Sequence, residues 1–85
     1  MKVEVLYFAW LRDNIGRDRE VVELPDGIAT VGALVDWLIE QSDGHKAAFA
    51  NLKAVRCAVN MEYSKFDAAI ADGDEIGFFP PVTGG

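Results

Sequence analysis

The chain has almost none of the residues from which common catalytic sites are built. In 85 residues, Cys57 is the single cysteine and His45 the single histidine. One cysteine excludes an internal disulfide framework and a cysteine-rich metal site. One histidine, with no fitting partners in sequence, gives no indication of a Ser–His–Asp or Cys–His nucleophile. A P-loop sequence is also missing. We therefore expect no autonomous catalytic site, no bound cofactor and no metal.

Basic residues are scarce as well. The chain has 8 Lys and Arg against 14 Asp and Glu, a formal net charge of −6. Nucleic acid and anionic membranes are bound through Lys and Arg, so neither is expected as a partner. The complementary partner is a protein with a basic docking face. No apolar run approaches the roughly 18 residues of a membrane span, and Lys2 and Glu4 interrupt any signal-peptide pattern. We expect a soluble, cytoplasmic domain.

The hydrophobic pattern indicates a small α+β domain. Apolar residues on both faces of residues 2–8 predict a central strand. Further strands are predicted at 19–24, 55–60, 63–66 and 75–79. Thr30 is predicted to cap the main helix, which has an apolar stripe at helical spacing. That stripe consists of Val31, Leu34, Val35, Leu38 and Ile39. Residues 42–44 are predicted to end this helix, with Gly44 as its C-terminal cap.

The order of these elements predicts a β-grasp fold. One main helix packs on one face of a mixed sheet, and the first and last strands form a central parallel pair. The domain is expected to span residues 1–79, and residues 80–85 form a flexible, extended tail that leaves the sheet at its centre.

Several individual residues are given structural roles by the same pattern. Cys57 is predicted to lie in the core and His45 in solvent, while the segment 47–49 is predicted to be partly buried. Asp72, Asp74 and Glu75 are too few for a calcium loop and are interpreted as part of a turn at Gly73.

The last stretch of the sequence is unusual for a frayed terminus. Residues 78–85 read FFPPVTGG and carry no charged side chain. Two prolines favour an extended path, and two terminal glycines can enter a space too narrow for a side chain. Six extended residues from Pro80 reach about 20 Å. A carboxylate at such an end becomes reactive once it is converted to an acyl-adenylate, and a partner would have to hold the ATP. An inert frayed end is the alternative.

This tail resembles that of the molybdopterin synthase small-subunit family, the sulfur-carrier proteins called MoaD. The resemblance also covers DGDE at 72–75, VLYFA at 5–9, LR at 11–12, TV at 30–31 and AVN at 58–60. It implies a ubiquitin-like β-grasp fold, in agreement with the hydrophobic pattern. It also implies the sulfur-donating subunit of a sulfurtransferase, assembled as a heterotetramer with two large subunits.

By this resemblance, Gly85 is adenylated by an ATP-dependent activating enzyme and converted to a thiocarboxylate with sulfur from a donor protein. The tail then enters the synthase large subunit. There the sulfur passes to cyclic pyranopterin monophosphate during molybdenum cofactor biosynthesis. ATP is used by the activating partner and is not bound by this chain. The residues implied to bind the partner are Phe79, Pro80, Pro81, Val82, Thr83 and Gly84.

Three other functions share part of this pattern. A sulfur carrier for thiazole synthesis or transfer-RNA thiolation and a ubiquitin-like modifier both use a terminal Gly-Gly. The third is an interaction module with an inert tail. The approach FFPPVT ahead of the glycines favours the molybdopterin synthase family over these alternatives.

Overall fold

Residues 1–81 are described by a computed structural model, in which one mixed sheet carries the helices on a single face. In chain order the elements are β1 (Lys2–Tyr7), α1 (Trp10–Ile15), β2 (Arg19–Glu23), α2 (Val31–Ile39), α3 (Asp43–Ala48), a 3-10 helix (Leu52–Ala54), β3 (Arg56–Val59), β4 (Glu62–Ser64) and β5 (Glu75–Phe79). The strand order is β2-β1-β5-β3-β4. Among the strand pairs of residues 1–81, only β1–β5 is parallel. The predicted β-grasp fold is confirmed.

The central parallel pair forms the floor of the core. Val5 pairs with Ile76 and Tyr7 with Phe78, and all four side chains are buried. Because side chains alternate along a strand, every second residue of β1 faces the helices. The strand at 2–8 was predicted to be central, and it is.

Helix α2 covers this floor as the spacing of its apolar residues predicts. The Thr30 side chain accepts a hydrogen bond from the Ala33 N–H at 3.1 Å, which confirms the predicted N-cap. Complete burial of an aliphatic side chain contributes about 1.5–3 kcal/mol. The fully buried residues of the stripe are Val31, Leu34, Val35 and Leu38.

The predicted end of this helix is wrong. Helix α2 stops at Ile39, and the Ser42 side chain instead accepts the His45 backbone N–H as the N-cap of α3. Gly44 therefore lies inside α3. A Cβ atom at Gly44 would stand 2.4 Å from the Asn14 carbonyl oxygen, so this glycine permits a close approach of α3 to the end of α1.

His45 was predicted to lie in solvent, and this is also wrong. The residue is 6% exposed, and its side chain bonds to Ser42 on one side and Glu20 of β2 on the other. The segment that follows is only partly as predicted: Ala48 and Phe49 are buried, but Ala47 is exposed. Helix α3 is thus attached to the sheet through the polar contact between His45 and Glu20. The sequence pattern of a short helix does not indicate such a contact.

The acidic residues near β5 stabilise a turn, as predicted. Asp72 accepts the Lys2 backbone N–H at 2.7 Å, and Asp74 accepts the Ala71 backbone N–H at 2.7 Å. Within residues 1–81 no group of His, Cys, Asp and Glu side chains is arranged to hold a metal ion. None of the helices in this part of the chain is long and apolar enough to cross a membrane.

Candidate functional site

The tail is rooted in the centre of the sheet. Strand β5 lies between β1 and β3 and ends at Phe79, because Pro80 has no N–H to continue the ladder. The preceding Phe78 is fully buried, with its ring edge-on to Phe49 at 5.0 Å between centroids. Its carbonyl accepts the Phe8 N–H at 3.1 Å. The chain therefore leaves the domain from a fixed base.

Some of the predicted site residues lie within the described residues 1–81, and the others lie after residue 81. Phe79, Pro80 and Pro81 are partly exposed at the root of the tail. Val82, Thr83, Gly84 and Gly85 lie outside residues 1–81. The reactive role of Gly85 and the division into a domain 1–79 and a tail 80–85 therefore stay predictions.

An exposed apolar surface adjoins this root on the sheet face opposite the helices. Strand pairing places Leu6, Gly77, Ala58 and Tyr63 in one row across four strands. Tyr63 is 78% exposed. A contiguous apolar patch of this kind is typical of an interaction site, unlike single exposed apolar residues. We call this surface the outer face; it comprises Leu6, Phe8, Ala58, Met61, Tyr63, Gly77 and Phe79.

The outer face contains a shallow groove of about 460 Å³. The rings of Tyr63 and Phe79 meet edge to face along it, with centroids 5.6 Å apart. A Cβ atom at Gly77 would lie 3.6 Å from the Phe8 ring, so the missing side chain keeps the floor of the groove open. Of the described residues that line it, Glu75 alone is charged. Such aromatic, sparsely charged surfaces are characteristic of the centres of protein interfaces.

Most of the outer face was missed by sequence reasoning. Phe79 was predicted to bind a partner, but Phe8, which is 47% exposed, and Met61, which is 88% exposed, were not. The sequence did indicate that Phe8 could be exposed. Residues 2–8 are apolar on both faces of the strand, but the one main helix covers only one of these two faces. The positions of Met61 and Tyr63 depend on the two-residue turn between β3 and β4, where Asn60 and Met61 both have positive φ.

Cys57 does not offer a nucleophile next to the tail. Its side chain is buried, and its Sγ donates to the Ser64 carbonyl oxygen at 3.2 Å. Burial raises the pKa of the thiol above its ordinary value, which keeps it protonated and unreactive. The predicted core role is confirmed.

The chain is similar to known proteins in both sequence and fold. The model described as "ThiS family" matches residues 5–85. The molybdopterin synthase sulfur carrier subunit of Escherichia coli is 41% identical over 83 residues, covering 98% of this chain and 99% of the relative. A putative molybdopterin converting factor subunit 1 from Pyrococcus furiosus superposes with a TM-score of 0.77 at 36% identity, covering 96% and 99% of the two chains. The small archaeal modifier protein 1 of H. volcanii gives 0.74 at 30% identity, covering 95% and 98%.

Proposed function

The chain belongs to the ThiS family, and we propose that it is the sulfur carrier subunit of a molybdopterin synthase in molybdenum cofactor biosynthesis. The family inferred from the tail and strand motifs is confirmed. In this proposal the chain is a carrier in the cytoplasm. It supplies the sulfur of a sulfurtransferase reaction, and its partners supply the catalytic groups.

The observation that carries the proposal is the relation between the tail and the sheet. The FFPPVTGG stretch begins in a buried central strand and next to an exposed apolar face. A fixed base limits the volume in which a short tail can search, which lowers the entropy lost when a partner captures it. The outer face offers aromatic side chains, the residue types that dominate interface energetics. This arrangement suits delivery of a terminal group into another protein.

The proposed chemistry proceeds at Gly85. An ATP-dependent activating enzyme converts the carboxylate to an acyl-adenylate and releases pyrophosphate. Sulfur at the oxidation level of hydrosulfide, supplied by a donor protein, then attacks the acyl carbon and displaces AMP, giving a thiocarboxylate. In the synthase, the sulfur passes from Gly85 to cyclic pyranopterin monophosphate, and water supplies the oxygen that regenerates the carboxylate. ATP stays with the activating enzyme, and this chain holds no cofactor.

The proposed assembly is a heterotetramer of two carriers and two large subunits. Phe79 and the outer face pack against the large subunit, while Pro80, Pro81, Val82 and Thr83 form an extended strap. Gly84 and Gly85 pass through a channel in which a Cβ atom would clash.

A second candidate is a protein modifier that is joined to lysine side chains through the same carboxylate. It is favoured by one observation, the similarity in fold and length to the small archaeal modifier protein 1. The two functions share the adenylate but differ in the nucleophile, which is sulfur for a carrier and an amine for a modifier.

Intact-mass measurement tests the proposal. After expression in a host with a sulfuration pathway, we expect the mass increase of one oxygen replaced by one sulfur, localised to Gly85 by fragmentation. We also expect co-purification with a molybdopterin synthase large subunit rather than a thiazole synthase. Absence of the sulfur form under all conditions would exclude both kinds of sulfur carrier, and isopeptide-linked conjugates would favour the modifier.

A further inference from the structure

Ala9 has a backbone conformation that normally requires glycine. Its φ of 55° and ψ of −131° match the first central position of a type II′ turn, where glycine is the common residue. The Phe8 carbonyl accepts the Leu11 N–H at 3.2 Å, which closes this turn between β1 and α1. For a residue with a Cβ atom the conformation is strained. Glycine would relieve the strain, yet the chain has alanine here.

The methyl group of Ala9 gives the free chain no packing in return. Ala9 is exposed, and among the described residues it is not one of those that pack against the core. The turn is enforced by its neighbours, since the Trp10 indole N–H donates to the Ala48 carbonyl at 3.3 Å and Leu11 is fully buried. Strain of this kind persists only where the surrounding structure enforces it, and it is concentrated at functional sites.

The other two non-glycine residues with positive φ within residues 1–81 are Asn60 and Met61, in the turn between β3 and β4. Asn60 is explained by its own contacts, because its side chain accepts the Glu75 N–H at 2.9 Å and donates to Asp74 at 3.0 Å. Met61 has a φ of 71° and is 88% exposed, and it lines the groove of the outer face. Glycine is the usual residue after asparagine in such a turn. Met61 is therefore a second strained residue whose side chain the free chain leaves in solvent.

Ala9 lies beside the point where the tail leaves the sheet. Strands β1 and β5 run parallel with Tyr7 opposite Phe78, so Ala9 follows β1 at the level at which Pro80 follows β5. Phe8, between Tyr7 and Ala9, lines the groove of the outer face. A protein that encloses the tail up to its root therefore reaches the turn at Ala9.

We propose that Ala9 is a binding residue, whose methyl group is held in a strained turn to contact the protein that receives the tail. This inference rests on the proposed function, in which that protein is the synthase large subunit and packs on the outer face. The interface then continues from the outer face past Phe8 to the turn. A methyl group that is buried only in the complex explains why the strained alanine is kept. Met61 fits the same explanation, with a flexible apolar side chain that adapts to the surface of its partner.

Glycine substitutions separate binding from folding, because the two expected effects have opposite signs. Ala9→Gly removes the strain and the methyl group together. We expect its melting temperature to rise by about 4 °C, after the greater freedom of glycine in the unfolded chain has offset part of the gain. The dissociation constant for the purified large subunit, measured by calorimetry, should increase about fourfold, the effect of one buried methyl group. Met61→Gly should also raise the melting temperature, and it should weaken binding about tenfold because a whole side chain is lost.

Two further variants are controls. Ala71→Gly removes the methyl group of another exposed alanine, in the turn before β5 and thus at the end of this strand away from the tail. It should lower the melting temperature slightly and change the affinity by less than about twofold. Ala9→Ser retains the Cβ atom and should bind within about twofold of the wild type. Adenylation of each variant by the activating enzyme is measured alongside, as ATP–pyrophosphate exchange.

Several outcomes would overturn the proposal. An unchanged affinity for Ala9→Gly, an equal loss in Ala71→Gly, or binding by Ala9→Ser as weak as that of Ala9→Gly would each do so. A fall in the melting temperature of Ala9→Gly would show that the methyl group stabilises the free fold instead. Reduced adenylation with unchanged affinity for the large subunit would also refute it and would assign the turn to the activating enzyme. If the wild type itself does not bind the large subunit, the proposed function fails; if wild type and variants bind equally well, only this inference fails.

Discussion

His45 Nε2 lies 2.7 Å from Glu20 Oε2, so a buried histidine on α3 is bonded to an inward-facing carboxylate on β2. The Tyr7 hydroxyl donates to the same oxygen at 2.6 Å, and Arg17 lies 3.2 Å from the other carboxylate oxygen. One carboxylate thereby connects β1, β2 and α3. Burial opposes ionisation of Glu20, but the hydrogen bonds from Tyr7 and His45, with the charges of His45 and Arg17, outweigh it. The pKa of Glu20 is held below its ordinary value.

This network predicts how stability depends on pH. Because the pKa of Glu20 is lower in the folded state than in the unfolded state, the ionised carboxylate stabilises the fold fully above the ordinary pKa of 4.5. That contribution is lost as the pH falls through the folded-state pKa. We expect Glu20→Gln to lower the free energy of unfolding by about 1–3 kcal/mol at neutral pH. Below the ordinary pKa, the variant should lose stability with acidification less steeply than the wild type.

Urea unfolding at a series of pH values checks this expectation. Glu23→Gln is the control, since Glu23 is an exposed carboxylate on the same strand, and it should retain the wild-type dependence on pH. A Glu20→Gln variant that also retained it would show that the network is not the source of the acid sensitivity.

Gly44 provides a test of close packing between α1 and α3. In an exposed helix, Gly→Ala is stabilising by about 1 kcal/mol. At Gly44 the new Cβ would stand 2.4 Å from the Asn14 carbonyl oxygen, a backbone atom that cannot rotate away. We therefore expect Gly44→Ala to destabilise the fold by about 1–3 kcal/mol, measured by thermal or urea unfolding.

The exposed Ala47 in the same helix supplies the comparison for Gly44. Ala47→Gly should cost about 1 kcal/mol, the ordinary helix-propensity difference. If Gly44→Ala were instead stabilising, the approach of α3 to Asn14 would have to be looser than described.

The residues that sequence reasoning misassigned are those whose roles depend on distant contacts. The α2 stripe and the last strand were predicted correctly because helical periodicity, the Thr30 cap and the stop at Pro80 are local signals. The glycine at position 44 is explained only by its close approach to Asn14. The burial of His45 is explained only by its bond to Glu20, 25 residues away. A signal for the latter existed, since alternation along β2 turns Glu20 to the same face as the buried Val22. An inward carboxylate requires a partner, but the sequence does not name it.

The outer face makes Phe79 the first residue to test for binding. Its ring is partly exposed at the tail root and packs edge to face on Tyr63. We expect Phe79→Ala to weaken binding to the large subunit by about 1–3 kcal/mol, the loss typical of an aromatic hot spot. Isothermal titration calorimetry with the purified large subunit measures this change.

A matched substitution on the same side of the sheet, but outside the outer face, controls for a general loss of apolar surface. Val21 is 65% exposed on β2 and lies outside the groove, so Val21→Ala should leave the affinity nearly unchanged. Equal affinities for the wild type and Phe79→Ala would remove Phe79 from the interface. The Tyr63–Phe79 ring pair itself contributes about 0.5–1.5 kcal/mol to the stability of the fold. A thermal melt of each variant therefore shows whether a loss of binding comes with a loss of stability.

Changing the length of the chain at Gly85 tests the role of this residue in sulfur loading separately from the stability of the fold. Deleting Gly85 shortens the reach of the tail, and adding an alanine after it ends the tail in a residue with a side chain, so either change should abolish thiocarboxylate formation. The melting temperature should stay nearly the same, since within residues 1–81 the buried core cluster has Phe78 as its last member. Intact mass after incubation with the activating enzyme, ATP and sulfur donor measures loading.

Thr83→Ser preserves the tail length and should load normally. A large fall in melting temperature would mean that the tail is structural, and loading of the extended chain would move the reactive group away from Gly85.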